Sequence, residues 1–239
     1  MRSTGETRKV GGSPGSRMKP VPAGKLENER LVRLPTGGKL SRKSLLRVAL
    51  SLSTMINTSR QYRKVLMEAR QLFIKKNKDY GTAWRLLRPA SITDQIYIKA
   101  ARIRSVDTKK EQKIGDSIEN EFIGIVNYCL MALMLLRSGE GASPDHLTRE
   151  NVLAYYDACA EEVFRLMEAK NYDYDEVWRS MRVSSMTDLI LMKIVRIKEI
   201  EDREADSLVS EGVDANYMDI MNYAIFALIL LHESHTPNF

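Results

Sequence analysis

Acidic and basic side chains at helical spacings hold most of the chemical potential of this sequence. Asp116, Glu119, Ile123 and Asn127 fall at offsets of 0, 3, 7 and 11 residues, which at about 100° per residue keeps them along one stripe of a helix. Glu211, Asp214, Met218 and Asn222 repeat the arrangement, while Glu121 adds an acid to the first set and Asp219 adds one to the second. Oxygen ligands stacked in this way suit a hard cation such as Mg²⁺, usually held by a few carboxylates, water and substrate phosphates. Glu119, Glu121, Glu211, Asp214 and Asp219 are therefore candidate metal ligands. An acidic first helical turn, favoured by the macrodipole, accounts equally well for the acids that open these helices. Asp219, Asn127 and Asn222 differ, because a polar group inside a strongly apolar helix must find a partner. A functional role is the expectation for these three.

Cations stand at matching places. Lys99 and Arg102, like Lys193 and Arg196, lie one turn apart on one helix face. Facing a carboxylate cluster, such a pair meets the needs of a metal–triphosphate site; solvated charge or a bridge between helices is the alternative. If the repeated units pair about a twofold axis, acids of one unit are expected to face cations of the other. The segment Lys76-Asn77-Lys78-Asp79-Tyr80-Gly81, followed by Trp84-Arg85 and Arg88, combines an acid, aromatics and cations. Lys76, Asp79, Tyr80 and Trp84 could stack on a base and grip phosphate; equally, Asn77 and Asp79 could form a turn while Tyr80 and Trp84 fill the core. Ser91-Ile-Thr-Asp94 and Ser185-Met-Thr-Asp188 fit a capping box, the preferred reading of both acids. The histidines, His146, His232 and His235, lie in a linker and at the C-terminal end. Neither a glycine-rich phosphate loop nor a nucleophile elbow occurs, and no residue is assigned as a catalytic nucleophile or base.

The elements that must position these residues come from a duplication. Across residues 76–103 the same amino acid recurs 94 positions later at 14 of 28 sites, including Lys76, Asp79, Tyr80, Trp84, Lys99 and Arg102. After one inserted residue, Asn127-Tyr128 meets Asn222-Tyr223. Each copy reads as three helices from apolar residues at three- and four-residue steps. Tyr62, Val65, Leu66, Ala69, Leu72 and Phe73 form one stripe, mirrored by Tyr156, Cys159, Ala160, Val163, Leu166 and Met167. The second helices are expected near 92–106 and 186–200, and the third near 116–136 and 211–231. The expected fold is thus all-α: two tandem three-helix repeats, 58–137 and 148–232, packed as a helical bundle. Residues 138–147 form the linker, with Thr148 as the next cap, and 233–239 a short C-terminal tail. No segment has convincing strand alternation.

Residues 1–57 are rich in Gly, Ser, Pro and basic side chains, a composition that predicts a disordered tail. Of 37 Lys/Arg and 31 Asp/Glu, residues 1–50 hold 12 and 3, so the remainder is slightly acidic despite a net charge of +6. That distribution disfavours a nucleic-acid-binding core; nucleic acid is expected only at the tail. The apolar runs 122–136 and 217–231 are shorter than a spanning helix needs, and no membrane partner is expected. Cys129 and Cys159 fall in apolar helical patterns, as free thiols of a cytoplasmic protein do.

Taken together, Lys-Asn-x-Asp-Tyr-Gly at 76–81, Trp84, Ser-Ile-Thr-Asp at 91–94, Lys99 with Arg102-Ile103, and Asn-Tyr at 127–128 resemble the nucleotide modification associated domain 1 family. This family of bacteria and phages is related to the all-α, MazG-like nucleoside triphosphate pyrophosphatases. The resemblance implies a helical bundle whose carboxylates bind Mg²⁺ and direct water at the phosphate chain of a nucleoside triphosphate, releasing pyrophosphate; further copies of the chain are a candidate partner. The relatives' third helix often reads as Glu211, Asp214, Asp219 and Asn222 do. The first copy has Gly124 where an acid is expected, and the second has Asp175 in the place of Gly81.

Overall fold

Helix formers and the absence of Gly and Pro carry the first helix further back than the tail's composition implied. The computed structural model describes residues 32–33, 39–109, 115–137, 147–202 and 212–235. Helix α1 spans Arg42–Tyr80, so residues 42–57 are helical rather than part of a disordered tail. The stretch 42–57 is built largely of Leu, Arg, Lys and Ser without a breaker, and favourable propensity extends the turn ahead of it. Ser41 starts the helix, its Oγ accepting the Ser44 N–H at 3.1 Å.

The chain divides into two compact units, Met1–Arg47 and Val48–Phe239. In the first, Val32–Arg33 (β1) pairs antiparallel with Lys39–Leu40 (β2). The second holds both repeats. After α1, a 3-10 turn at Ala83–Leu86 leads to α2 (Pro89–Lys109) and α3 (Ile118–Arg137). The second repeat gives α4 (Val152–Tyr174), a 3-10 turn at Val177–Ser180, α5 (Val183–Asp202) and α6 (Val213–His235). Two three-helix repeats therefore form one all-α bundle. Several boundaries differ from expectation. Helix α2 starts at Pro89 and α5 at Val183, so Ser91 and Ser185 lie inside the helices and neither capping box forms; a proline opening α2 sacrifices no bonded N–H. Asn151 precedes α4, and Thr148 does not cap it but accepts the Glu150 N–H in the turn before. Helix α6 reaches His235, beyond the expected end near residue 231.

Side-chain pairs show how the repeats meet. Arg63 joins Glu161 and Arg70 joins Asp157, so α1 and α4 run antiparallel. Asp94 joins Lys198 and Asp188 faces Arg104, setting α2 antiparallel to α5. Arg137 at the end of α3 reaches Asp214 at the start of α6, while Glu119 lies 3.8 Å from His235. Every helix thus lies beside its own counterpart, the signature of an internal twofold axis. One core serves both repeats, with Phe122, Ile125, Leu130 and Leu133 of α3 buried alongside Tyr217, Ile220, Ile225 and Leu228 of α6. By length and composition α3 alone among the described helices is long and apolar enough to cross a membrane; here it packs against α2, α4 and α6.

Candidate functional site

The acids and cations meet where the second and third helices of each repeat pack together. In the first repeat, Glu121 is buried at the side of α3 and receives two cations from α2: Lys99 Nζ at 3.1 Å and Arg102 Nη1 at 2.5 Å. Arg102 also donates to the Asp116 carbonyl at 3.0 Å. In the second, Asp219 of α6 takes Lys193 of α5 at 2.9 Å and Lys170 of α4 at 2.5 Å. Both clusters lie within a repeat, not across the two as expected, because α2 packs on α3 and α5 on α6. The cations that do cross the internal axis belong to other pairs.

Position by position, the clusters are built differently. Allowing for the inserted residue, Glu121 corresponds to Asn216 and Gly124 to Asp219. Each repeat keeps a single acid, one helical turn from where the other keeps its own. Lys99 lies over Gly124 to reach Glu121: a Cβ on Gly124 would stand 2.6 Å from Lys99 Cε. Arg196, the counterpart of Arg102, pairs with Glu199 on its own helix at 3.3 Å, since Asn216 offers it no carboxylate.

The other expected metal ligands do not join these clusters. Glu119 and Asp214 take the cross-repeat contacts above, and Glu211 lies outside the described residues. Among the described residues no three His, Cys, Asp or Glu side chains converge on one point. Asp116 precedes α3 rather than opening it, so it leaves the proposed stripe. Asn127 and Asn222, expected to be functional, instead tie the repeats together. Tyr156 donates to Asn127 Oδ1 at 2.8 Å and Tyr62 to Asn222 Oδ1 at 2.6 Å, while Asn127 donates to the Ala69 carbonyl. Burial pushes both tyrosine hydroxyls well above their usual range, which keeps them neutral donors. Asp94 and Asp188, expected as caps, form the α2–α5 bridges.

The polar motif ends the first helix of each repeat. Lys76 and Asp79 are exposed and Tyr80 is 76% exposed, while Trp84 is half-buried edge-on to Phe73. Trp178 is buried and stacks on Phe226, so the tryptophans fill the core and the tyrosines face solvent. Gly81 sits at φ +62°, and Asp175 adopts the same left-handed conformation at +49°. Only the glycine does so without strain. Sequence reasoning passed over Lys170, although the 94-residue offset maps Lys76 onto it.

An all-α protein of two interlocked repeats, each with a lysine–carboxylate cluster between its second and third helices, is the class that fold and site define. Residues 76–136 and 170–231 each match the nucleotide modification associated domain 1 family. The matches together cover just over half of the 239 residues, and the chain belongs to that family. No curated protein and no solved structure matches it.

Proposed function

We propose that the protein binds a nucleoside triphosphate, in the form of a (deoxy)nucleotide, and hydrolyses it with Mg²⁺ to release pyrophosphate. The observation that carries this reading is the surplus of positive charge around each acid: two cations on Glu121 and two on Asp219. A carboxylate between two cations leaves one positive charge over, which favours a polyanionic phosphate chain. Tyr174, 67% exposed, stands one turn beyond Lys170 on the same helix face. A base stacked there would direct its phosphates toward Lys170 and Lys193.

A single carboxylate per cluster suits Mg²⁺ that arrives on the triphosphate and keeps phosphate and water ligands, rather than one caged by protein groups alone. Asp219 would hold it in the second repeat and Glu121 in the first; bound there, the ion would polarise phosphate and lower the pKa of water. A relation of the family to MazG-like pyrophosphatases, inferred from the motif resemblance alone, would point to the same substrate class. The two cysteines are free and buried, in keeping with a reducing cytoplasm.

Nucleotide binding without hydrolysis is the second reading, favoured by the full occupation of both carboxylates by lysine and arginine. Thermal shifts with NTPs and dNTPs, with and without Mg²⁺, combined with a pyrophosphate-release assay, separate the two. Stabilisation with release supports hydrolysis, stabilisation alone supports binding, and neither result with any nucleotide overturns both readings.

A further inference from the structure

The outward faces of α2 and α5 carry apolar side chains that the bundle leaves uncovered. Tyr97, Ile98, Met192 and Val195 are 43%, 57%, 55% and 53% exposed, with half-buried Ala101 and Leu191 between them. A groove of about 470 Å³ runs between the helices, walled by Tyr97, Ala101, Leu191 and Val195 and, toward the end of α2, by polar Arg104, Ser105, Thr108 and Lys109. At the 94-residue offset Tyr97 answers to Leu191, Ile98 to Met192 and Ala101 to Val195. The internal twofold therefore maps this patch onto itself. Contiguous exposed apolar surface rimmed by polar groups is often an interaction site.

The rim decides what fits. At one end of the pair, Asp94 on α2 lies beside Lys198 on α5; at the other, Arg104 on α2 lies beside Asp188 on α5. The four corners thus alternate in sign, negative and positive along each helix and across each end. Both acids are more than half exposed and free to take a second partner.

We propose that the α2/α5 face is an isologous docking surface for a second copy of this chain. A dimer twofold lies in the plane of its interface. Run along the helices, that axis sets Asp94 of one copy over Lys198 of the other; run across them, it sets Asp94 over Arg104. Either way each corner acid meets a base while the apolar centre meets itself, an agreement that no unrelated partner would share by symmetry alone. The area is also sufficient: two helices of about 20 residues, about 30 Å long and together about 20 Å wide, present about 600 Å² in projection. That approaches the roughly 800 Å² of accessible surface each partner contributes to a standard interface.

Light scattering and sedimentation of the full chain across a wide concentration range test the proposal. The expected result is a dimer that becomes monomeric when Ile98→Glu and Met192→Glu are combined, with helicity and melting temperature nearly kept, since both side chains point to solvent. Should that variant misfold, the milder pair Ile98→Ala and Met192→Ala is expected to raise the dimer dissociation constant at least tenfold. Charge reversal adds a second readout. A variant with Asp94→Lys and Asp188→Lys, and another with Arg104→Glu and Lys198→Glu, are each expected to be monomeric alone and to form a heterodimer when mixed. A wild-type chain that stays monomeric overturns the proposal, as does a dimer that survives both the apolar and the charge changes. A monomer that dimerises only after residues 1–31 are removed assigns the face to the chain's own N-terminal segment and overturns it too.

Discussion

The two repeats share one helical plan and solve the same electrostatic problem with different residues. In the first, a glutamate at position 121 reaches back to Lys99 and Arg102 across a glycine at 124. In the second, an aspartate at 219 takes Lys193 directly, and Lys170 closes on its other side. A longer acid one turn earlier and a shorter acid one turn later bring a carboxylate to the same lysine. Duplication thus preserved the charge pair while freeing its position. The surrounding cations diverged with it: the first cluster draws on α2 alone, whereas the second recruits the polar motif at the end of α4. Only the second joins motif and acid in one site, which makes it the stronger candidate for nucleotide chemistry.

The largest expected effects test that difference. Asp219→Asn nearly preserves volume and removes one charge; if pyrophosphate release is real, it should fall by about 10²-fold or more with little change in melting temperature. Glu121→Gln should then cost much less, and the reverse order of effects would move the site to the first repeat. Next in size are the reciprocal hydrogen bonds. Tyr62→Phe and Tyr156→Phe each leave a buried asparagine oxygen without its donor, at about 1–3 kcal/mol apiece. In a chain of this size that is a fall of several degrees in a thermal melt. Losses of very different size would show that the internal twofold does not govern the core.

A transplant sharpens the comparison further. Gly124→Asp alone forces Lys99 aside and should lower stability by about 1–3 kcal/mol. Combined with Glu121→Asn, which copies the second repeat, it lets Lys99 turn to the carboxylate introduced beneath it, and the melting temperature should return near that of the wild type. The smallest expected effect is a pH dependence peculiar to one end of the bundle. Glu201 accepts from Thr93, which also meets the Tyr217 hydroxyl. Partial burial raises the Glu201 pKa, with Asp94 and Asp202 adding to the shift. A carboxyl whose folded pKa is raised contributes stability below its unfolded pKa and loses it as pH rises through the folded value. Glu201→Gln should therefore be slightly stabilising at pH 7 and neutral near pH 3, as chemical denaturation at the two pH values would show. At the equivalent position stands Asp107, with Phe122 in the place of Tyr217.

Periodicity and self-similarity were enough to read six helices, their pairing into repeats and the burial of both cysteines. Each of these depends on near neighbours along the chain, where 3.6-residue spacing and a 94-residue offset are visible without folding. Of the expected cations, Lys99, Arg102 and Lys193 reach a third-helix acid, whereas Arg196 pairs on its own helix and Lys170 was passed over. The start of α1 was misread because Gly- and Pro-rich residues colour the composition of the whole tail, although Ser41 and the breaker-free stretch after it mark a helix. Partner choice was not legible. Asn127 and Asn222 looked functional as polar residues in apolar helices, yet their partners, Tyr156 and Tyr62, lie in the other repeat. Asp94 and Asp188 matched a cap locally and were claimed by cations more than 80 residues away. By itself the sequence determined which side chains lie on each helix face, because helix geometry is local. Only the tertiary structure decided which acid met which cation, because antiparallel packing about the internal axis brings together residues that no short-range pattern relates.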